Sequence, residues 1–149
     1  MSDDQDFFAN EMFNRLGEKD KLTLLIEAQK RAALVGHKTS DQLEGYDPVK
    51  DLEGEIQELR EAVEDPSQNK QRIADELADV LFNVINVARI HDIDIHNALD
   101  RFSKRWLTRK KLQEDKVKSA GYTWKTLPGE KSNQFWAEVK QELKKEEYR

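Results

Sequence analysis

Residues 75–90, DELADVLFNVINVARI, leave this chain few folds to choose from. At about 100° per residue, the side chains of Leu77, Val80, Leu81, Phe82, Val84, Ile85, Val87 and Ala88 spread apolar surface over most of a helical circumference. A helix of that kind belongs in a core. One stripe of it is polar, because Arg72, Glu76, Asp79, Asn83 and Asn86 follow one another at steps of three or four and share a face. A lone carboxylate moved from water into a core costs several kcal/mol even after relaxation. A buried Glu-x-x-Asp pair therefore requires cations beside it, supplied by the chain or recruited from solution.

The rest of the sequence has the same helical period. Phe7, Phe8, Met12, Phe13 and Leu16 mark a short amphipathic helix over 2–16, ended by Gly17. A second helix runs over 21–35 through Leu22, Leu25, Ile26, Ala33 and Leu34, and stops at Gly36. GHKTSDQLEGYD is a loop, long for a helix pair. Asp47-Pro48 then starts a helix with Asp as N-cap and Pro in the first turn. That helix reaches about Val63, and EDPS separates it from the 70–91 helix by a tight break. A long helix lined by Ile95, Leu99, Phe102 and Trp106 runs to about Ser119 and ends at Gly121. After the loop GYTWKTLPGEK, a final helix spans Ser132 to about Glu147. No stretch alternates like a strand. The chain reads as an all-α bundle of about five to six helices, one domain over 1–149 with 1–20 as an N-terminal helical extension.

Charge narrows the function classes. The net charge is −5 and there is no basic run beyond short pairs, so no nucleic-acid partner and no anionic membrane surface is expected. There are no cysteines, which excludes disulfides, thiolate metal sites and cysteine nucleophiles and suits a reducing compartment. The acidic start MSDDQDFF has no signal pattern, and no apolar run reaches membrane-spanning length, so a cytoplasmic protein is expected.

Chemistry concentrates on two neighbouring helices. Glu55 and Glu58 lie one turn apart at the border of an apolar stripe made by Val49, Leu52, Ile56, Leu59 and Val63, while Glu53 and Glu61 point away. Glu76 and Asp79 repeat the spacing on the next helix, and the tight break makes the two helices antiparallel neighbours. Brought face to face, the four carboxylates form an oxygen cage. Hard oxygen ligands without His or Cys suit Mg²⁺, with Mn²⁺ as a substitute, and such ions bind substrate phosphates. A single E-x-x-E occurs often on solvated helix faces; two such pairs, one embedded among apolar residues, occur together far less readily. No glycine-rich phosphate loop is present, so cationic side chains are needed. Arg72 shares the carboxylate stripe, and Arg105 and Arg109 share a face of the following helix, although exposed arginines are commonly mere ion-pair partners. Trp136 suits either core packing or base stacking.

In order along the chain, AQKRAALVG (28–36), LEGEIQEL (52–59), DELADVLFNVINVAR (75–89), SKRWLTR (103–109), Gly121 and FWAEVK (135–140) resemble the MazG family of nucleoside triphosphate pyrophosphohydrolases. The resemblance implies an all-α, Mg²⁺-dependent enzyme that cleaves a nucleoside triphosphate between the α and β phosphates. It also implies that Glu55, Glu58, Glu76 and Asp79 are the metal-binding and catalytic carboxylates, while Asp51, Arg72, Arg105, Arg109 and Trp136 line the nucleotide site. Three kinds of departure from the family pattern stand out. Gly54 stands where the first of two paired glutamates is common, Arg72 and Arg105 stand where lysine is frequent, and HKTSDQ after Gly36 lacks the usual aromatic residue.

Rival readings remain at this stage. Within the family, a dUTP/dCTP-specific or phosphoribosyl-ATP pyrophosphohydrolase has the same motifs. A di-iron carboxylate bundle would use Glu-x-x-His, which occurs nowhere here. A non-catalytic helical interaction module gives no reason for two carboxylates on an apolar helix. That helix and the Phe7/Phe8/Phe13 face carry more apolar surface than one small bundle needs, so a homodimer or higher homo-oligomer is expected.

Overall fold

Short polar side chains set where three of the helices begin. Asp20 accepts from the Thr23 amide at 3.0 Å, Asp47 from the Val49 and Lys50 amides at 3.0 and 3.2 Å, and Asn69 from the Gln71 and Arg72 amides at 3.1 and 3.2 Å. Each bond satisfies an amide that the first helical turn leaves without a partner. The computed structural model describes residues 9–18, 20–35 and 45–147. Among them are six helices and no strand: α1 (Ala9–Asn14), α2 (Lys21–Leu34), α3 (Pro48–Glu64), α4 (Lys70–Ile90), α5 (Ile95–Ser119) and α6 (Gly129–Glu147). Phe7, Phe8 and most of the loop before Asp47 lie outside the described residues.

The chain divides into two units, 1–95 and 96–149. In the first, α4 packs mainly on α3 and also on α2. The turn between α3 and α4 is tied by its own side chains. Asp65 accepts from the Ser67 amide at 2.8 Å, and the Gln68 amide group donates to the Val63 carbonyl at 2.7 Å, taking up a carbonyl at the end of α3. Leu24, Ala32, Ala62, Ile85 and Ala88 are buried there, together with Gln29. Gln29 donates from Nε2 to the Phe82 carbonyl of α4 at 3.1 Å. The buried line of α2 is thus Leu24, Gln29 and Ala32, whereas Leu34, expected on the apolar face, is 80% exposed. This polar residue sits in the core with its amide bonded across to α4.

Helix α4 also departs from expectation. Only Ile85 and Ala88 are buried, while Leu77 and Leu81 are 49% and 56% exposed. An apolar circumference specifies that a helix will be covered, and among the described residues part of this one stays exposed.

In the second unit α5 and α6 meet through Val117, Phe135 and Val139, all buried, and through Gln113, which is 1% exposed. Gln113 Nε2 donates to the Ser132 carbonyl at 2.9 Å. Helix α6 starts at Gly129, three residues before the expected Ser132, because the Pro128 carbonyl already accepts from the Ser132 amide at 3.0 Å. Ser132 is therefore a residue inside the first turn rather than a cap. No helix among the described residues is long and apolar enough to cross a membrane.

Candidate functional site

The face that α3 and α4 share brings the expected carboxylates together. Glu55 on α3 and Glu76 and Asp79 on α4 each offer an oxygen, and these atoms lie within 4.8 Å of one another. The cause is local: helical spacing of three sets Glu76 and Asp79 one turn apart, and the short turn after Asp65 folds α3 back beside them. Glu55 and Glu76 are half-buried and Asp79 is exposed. Glu58 stands one turn from Glu55, exposed and outside that trio, yet near enough to act on it. Burial pushes the Glu55 carboxyl up, and the negative charges of Glu58, Asp79, Glu76 and Asp51 push it further. Carboxylates held together against their own repulsion suit a hard divalent cation, and no His or Cys competes for it in this group.

The remaining candidates take varied places. Asp51 lines a hollow of about 550 Å³ along the start of α3, with Tyr46, Lys50, Gly54, Glu55 and Glu58. A Cβ added at Gly54 would meet nothing within 4 Å, so the missing glutamate leaves open space beside Glu55. Arg72 lies one turn before Glu76, but its guanidinium pairs with Asp65 of the α3–α4 turn at 3.0 Å. Both groups are well exposed, and such a pair is weak enough to exchange. Farther along α4 the polar stripe has a different use: Asn86 donates to the Tyr46 hydroxyl at 2.9 Å and accepts from Arg89 at 2.6 Å.

On the second unit, Arg105 lies over the Phe102 ring at 5.6 Å. Arg109 is half-buried, and its Nε is buried with no acceptor among the described residues. A buried N–H left unpaired costs about 1–3 kcal/mol, so an acceptor there would be well bound. Trp136 is half-buried, with the Lys110 ammonium 4.7 Å from its ring centroid. Sequence reasoning singled out neither Lys110 nor Gln113. Both look like solvated positions on a charged helix; α6 and the preceding loop bring Trp124 and Trp136 to Lys110 and the Ser132 carbonyl to Gln113.

Residues 48–112 match the family model of the MazG nucleotide pyrophosphohydrolase domain, a segment that begins with α3, contains all four candidate carboxylates and runs into α5. Over that segment the chain is similar to a MazG domain. Over 131 residues, 85% of its length, the chain is 28% identical to the nucleoside triphosphate pyrophosphohydrolase/pyrophosphatase MazG of Thermotoga maritima. The chain spans about half of that relative's length, since the match covers 48% of it. Both the MazG domain and this relative are named for pyrophosphohydrolysis, a hydrolase activity. The MazG match includes Arg72, Arg105 and Arg109 and ends before Trp136.

Proposed function

We propose that this chain is a Mg²⁺-dependent nucleoside triphosphate pyrophosphohydrolase, cleaving NTPs or dNTPs between the α and β phosphates to the monophosphate and pyrophosphate. The observation that carries this is the trio Glu55, Glu76 and Asp79, closely set and inside the segment that matches the MazG domain. These three, with Glu58, would hold the ion, and Mn²⁺ would substitute for Mg²⁺ at such an all-oxygen site. Bound there, a divalent cation supplies Lewis-acid charge that makes phosphorus more electrophilic and water more acidic.

The chain's own residues do the rest. Water adds to phosphorus, the bond to the bridging oxygen breaks, and the water's proton passes to a carboxylate. Glu55 fits that last role because burial and the neighbouring carboxylates push its pKa up. Arg109 offers a phosphate oxygen the donor that has no acceptor among the described residues. Arg105 and Arg72 add charge that opposes the negative charge developing on the phosphates. Asp51 would bond the nucleotide's donor groups, and Trp136 would stack on its base.

The apolar face left open on α4 supports a homodimer, which would bury it. A reducing, cytoplasmic setting agrees with the absence of cysteine.

The test is pyrophosphate release from a panel of canonical and modified NTPs and dNTPs, with dUTP, dCTP and phosphoribosyl-ATP included. Release that requires Mg²⁺ and is lost in Glu76→Ala, with helical content retained, supports the reading, and the ranking names the substrate. Release indifferent to Glu76 sinks the proposed site. No release from any nucleotide sinks the activity and favours a non-catalytic module.

A further inference from the structure

All three tryptophans of the chain meet at one ammonium group. Lys110 Nζ lies 5.6 Å from the ring centroid of Trp106, 5.7 Å from that of Trp124 and 4.7 Å from that of Trp136. The rings come from three different segments: α5, the loop after Gly121, and α6. An ammonium near an indole face is attracted by the ring quadrupole, by about 0.5–1 kcal/mol when exposed and more when water is excluded. Among the described residues no carboxylate pairs with Lys110. Its polar partner is Gln113, whose Oε1 accepts from Nζ at 3.1 Å.

Gln113 gives the cluster its direction. It is almost fully buried, and its Nε2 donates to the Ser132 carbonyl of α6 at 2.9 Å. Ser132 lies one helical turn before Trp136. The contacts from Ser132 through Gln113 and Lys110 to Trp136 thus leave α6 and return to it one turn later. Trp124 is steered separately by its Nε1, which donates to Glu114 at 3.4 Å. A half-buried indole otherwise has two free side-chain torsions, and ordering them on binding costs affinity.

We propose that Lys110 is a positioning residue that fixes the Trp136 ring for the base of the nucleotide. The inference rests on the role given to Trp136 under the proposed function. With the ammonium over one face of the indole, the base stacks on the other. Lys110 itself touches neither phosphate nor reacting atom, so it acts on binding of the nucleoside end and not on bond cleavage.

The experiment compares Lys110→Met, Lys110→Arg and Trp136→Phe with the unaltered chain, using its best-cleaved nucleotide. Inorganic pyrophosphate serves as a baseless probe, measured as a product inhibitor. Lys110→Met keeps the stem and removes the charge. KM is expected to rise roughly tenfold with kcat within about twofold, the pattern of a lost binding interaction. Pyrophosphate inhibition stays unchanged, tryptophan emission shifts, and Lys110→Arg restores both KM and emission. If Trp136→Phe raises KM and Lys110→Met does not, the positioning role is overturned while the role of Trp136 stands. Should Trp136→Phe leave KM unchanged, the base does not use that ring and both ideas fall. Weakened pyrophosphate inhibition in Lys110→Met would also overturn the proposal, because it would assign Lys110 to the phosphates. Trp124→Phe, at an exposed ring, gives the same direction of change on a smaller scale if Lys110→Met does not fold. An unchanged KM there, with Lys110→Met unfolded, counts against the proposal.

Discussion

Gly54 is the residue at which an added side chain would bear on the proposed metal site. It lies inside α3 next to Glu55, and the space a side chain would fill is open. Gly54→Glu should be accommodated, with a helix-propensity gain of about 0.5–1 kcal/mol set against new repulsion in the metal-free protein. A Mg²⁺ titration of activity should show the half-maximal concentration falling several-fold, because an added carboxylate raises the charge available to the ion. Asp65 illustrates the opposite electrostatics. Hydrogen bonds from Ser67 hold its carboxyl below the ordinary aspartate range, helped by Arg72. A carboxylate with a lowered folded-state pKa contributes stability that is present above its unfolded value and is lost as pH falls through the folded one. Urea unfolding of Asp65→Asn at neutral pH should show a lower midpoint than the parent. That gap should close as the pH drops below the usual aspartate range, and a gap independent of pH would mean that the turn does not depend on the charge.

Helices α4 and α5 end in the same way on different residues. After α5, the Tyr122 amide bonds the Val117 carbonyl and the Gly121 amide the Lys118 carbonyl, both at 3.0 Å, with Gly121 at φ +80°. After α4, the Ile93 amide bonds the Ala88 carbonyl at 2.8 Å and the Asp92 amide the Arg89 carbonyl at 3.1 Å, with Asp92 at φ +52°. Both are left-handed helix caps, and only one has the residue without a Cβ penalty. Asp92→Gly should therefore stabilise the protein by about 0.5–1 kcal/mol, and Gly121→Ala should destabilise it by about 1 kcal/mol. Thermal melts of the two variants, in opposite directions, check this. Gly121 was legible as a stop signal. Asp92 was not, because aspartate after a helix reads equally well as the start of the next turn.

At the scale of the molecule, the exposed apolar side of α4 is where the proposed homodimer would form. Leu77, Leu81, Phe82 and Val84 are all more than 40% exposed, and no element within the described residues covers them fully. Exchange of Leu81, 56% exposed, for glutamate should leave the helical circular-dichroism signal intact and reduce the mass in solution to that of one chain. If the parent already sediments as one chain, α4 is not the dimer face. An unchanged dimer in the variant would send the interface elsewhere. Glu55, Glu58, Glu76 and Asp79 belong to the first unit and Arg105, Arg109 and Trp136 to the second.

By itself, the sequence determined the helical class, most helix limits and the placing of two carboxylate pairs, Glu55/Glu58 and Glu76/Asp79, on neighbouring helices. Those depend on local periodicity, caps such as Asp47-Pro48, and a short turn that leaves α3 nowhere to go but alongside α4. Only the tertiary structure decided that Glu58 stands outside the trio, that Arg72 turns to Asp65, that Gln29 and Gln113 are core residues, and that Lys110 gathers every tryptophan in the chain. Each of those depends on a side chain meeting a group distant in sequence or turned to another face of its helix. Periodicity reports which faces a helix has, and packing alone reports what each face meets.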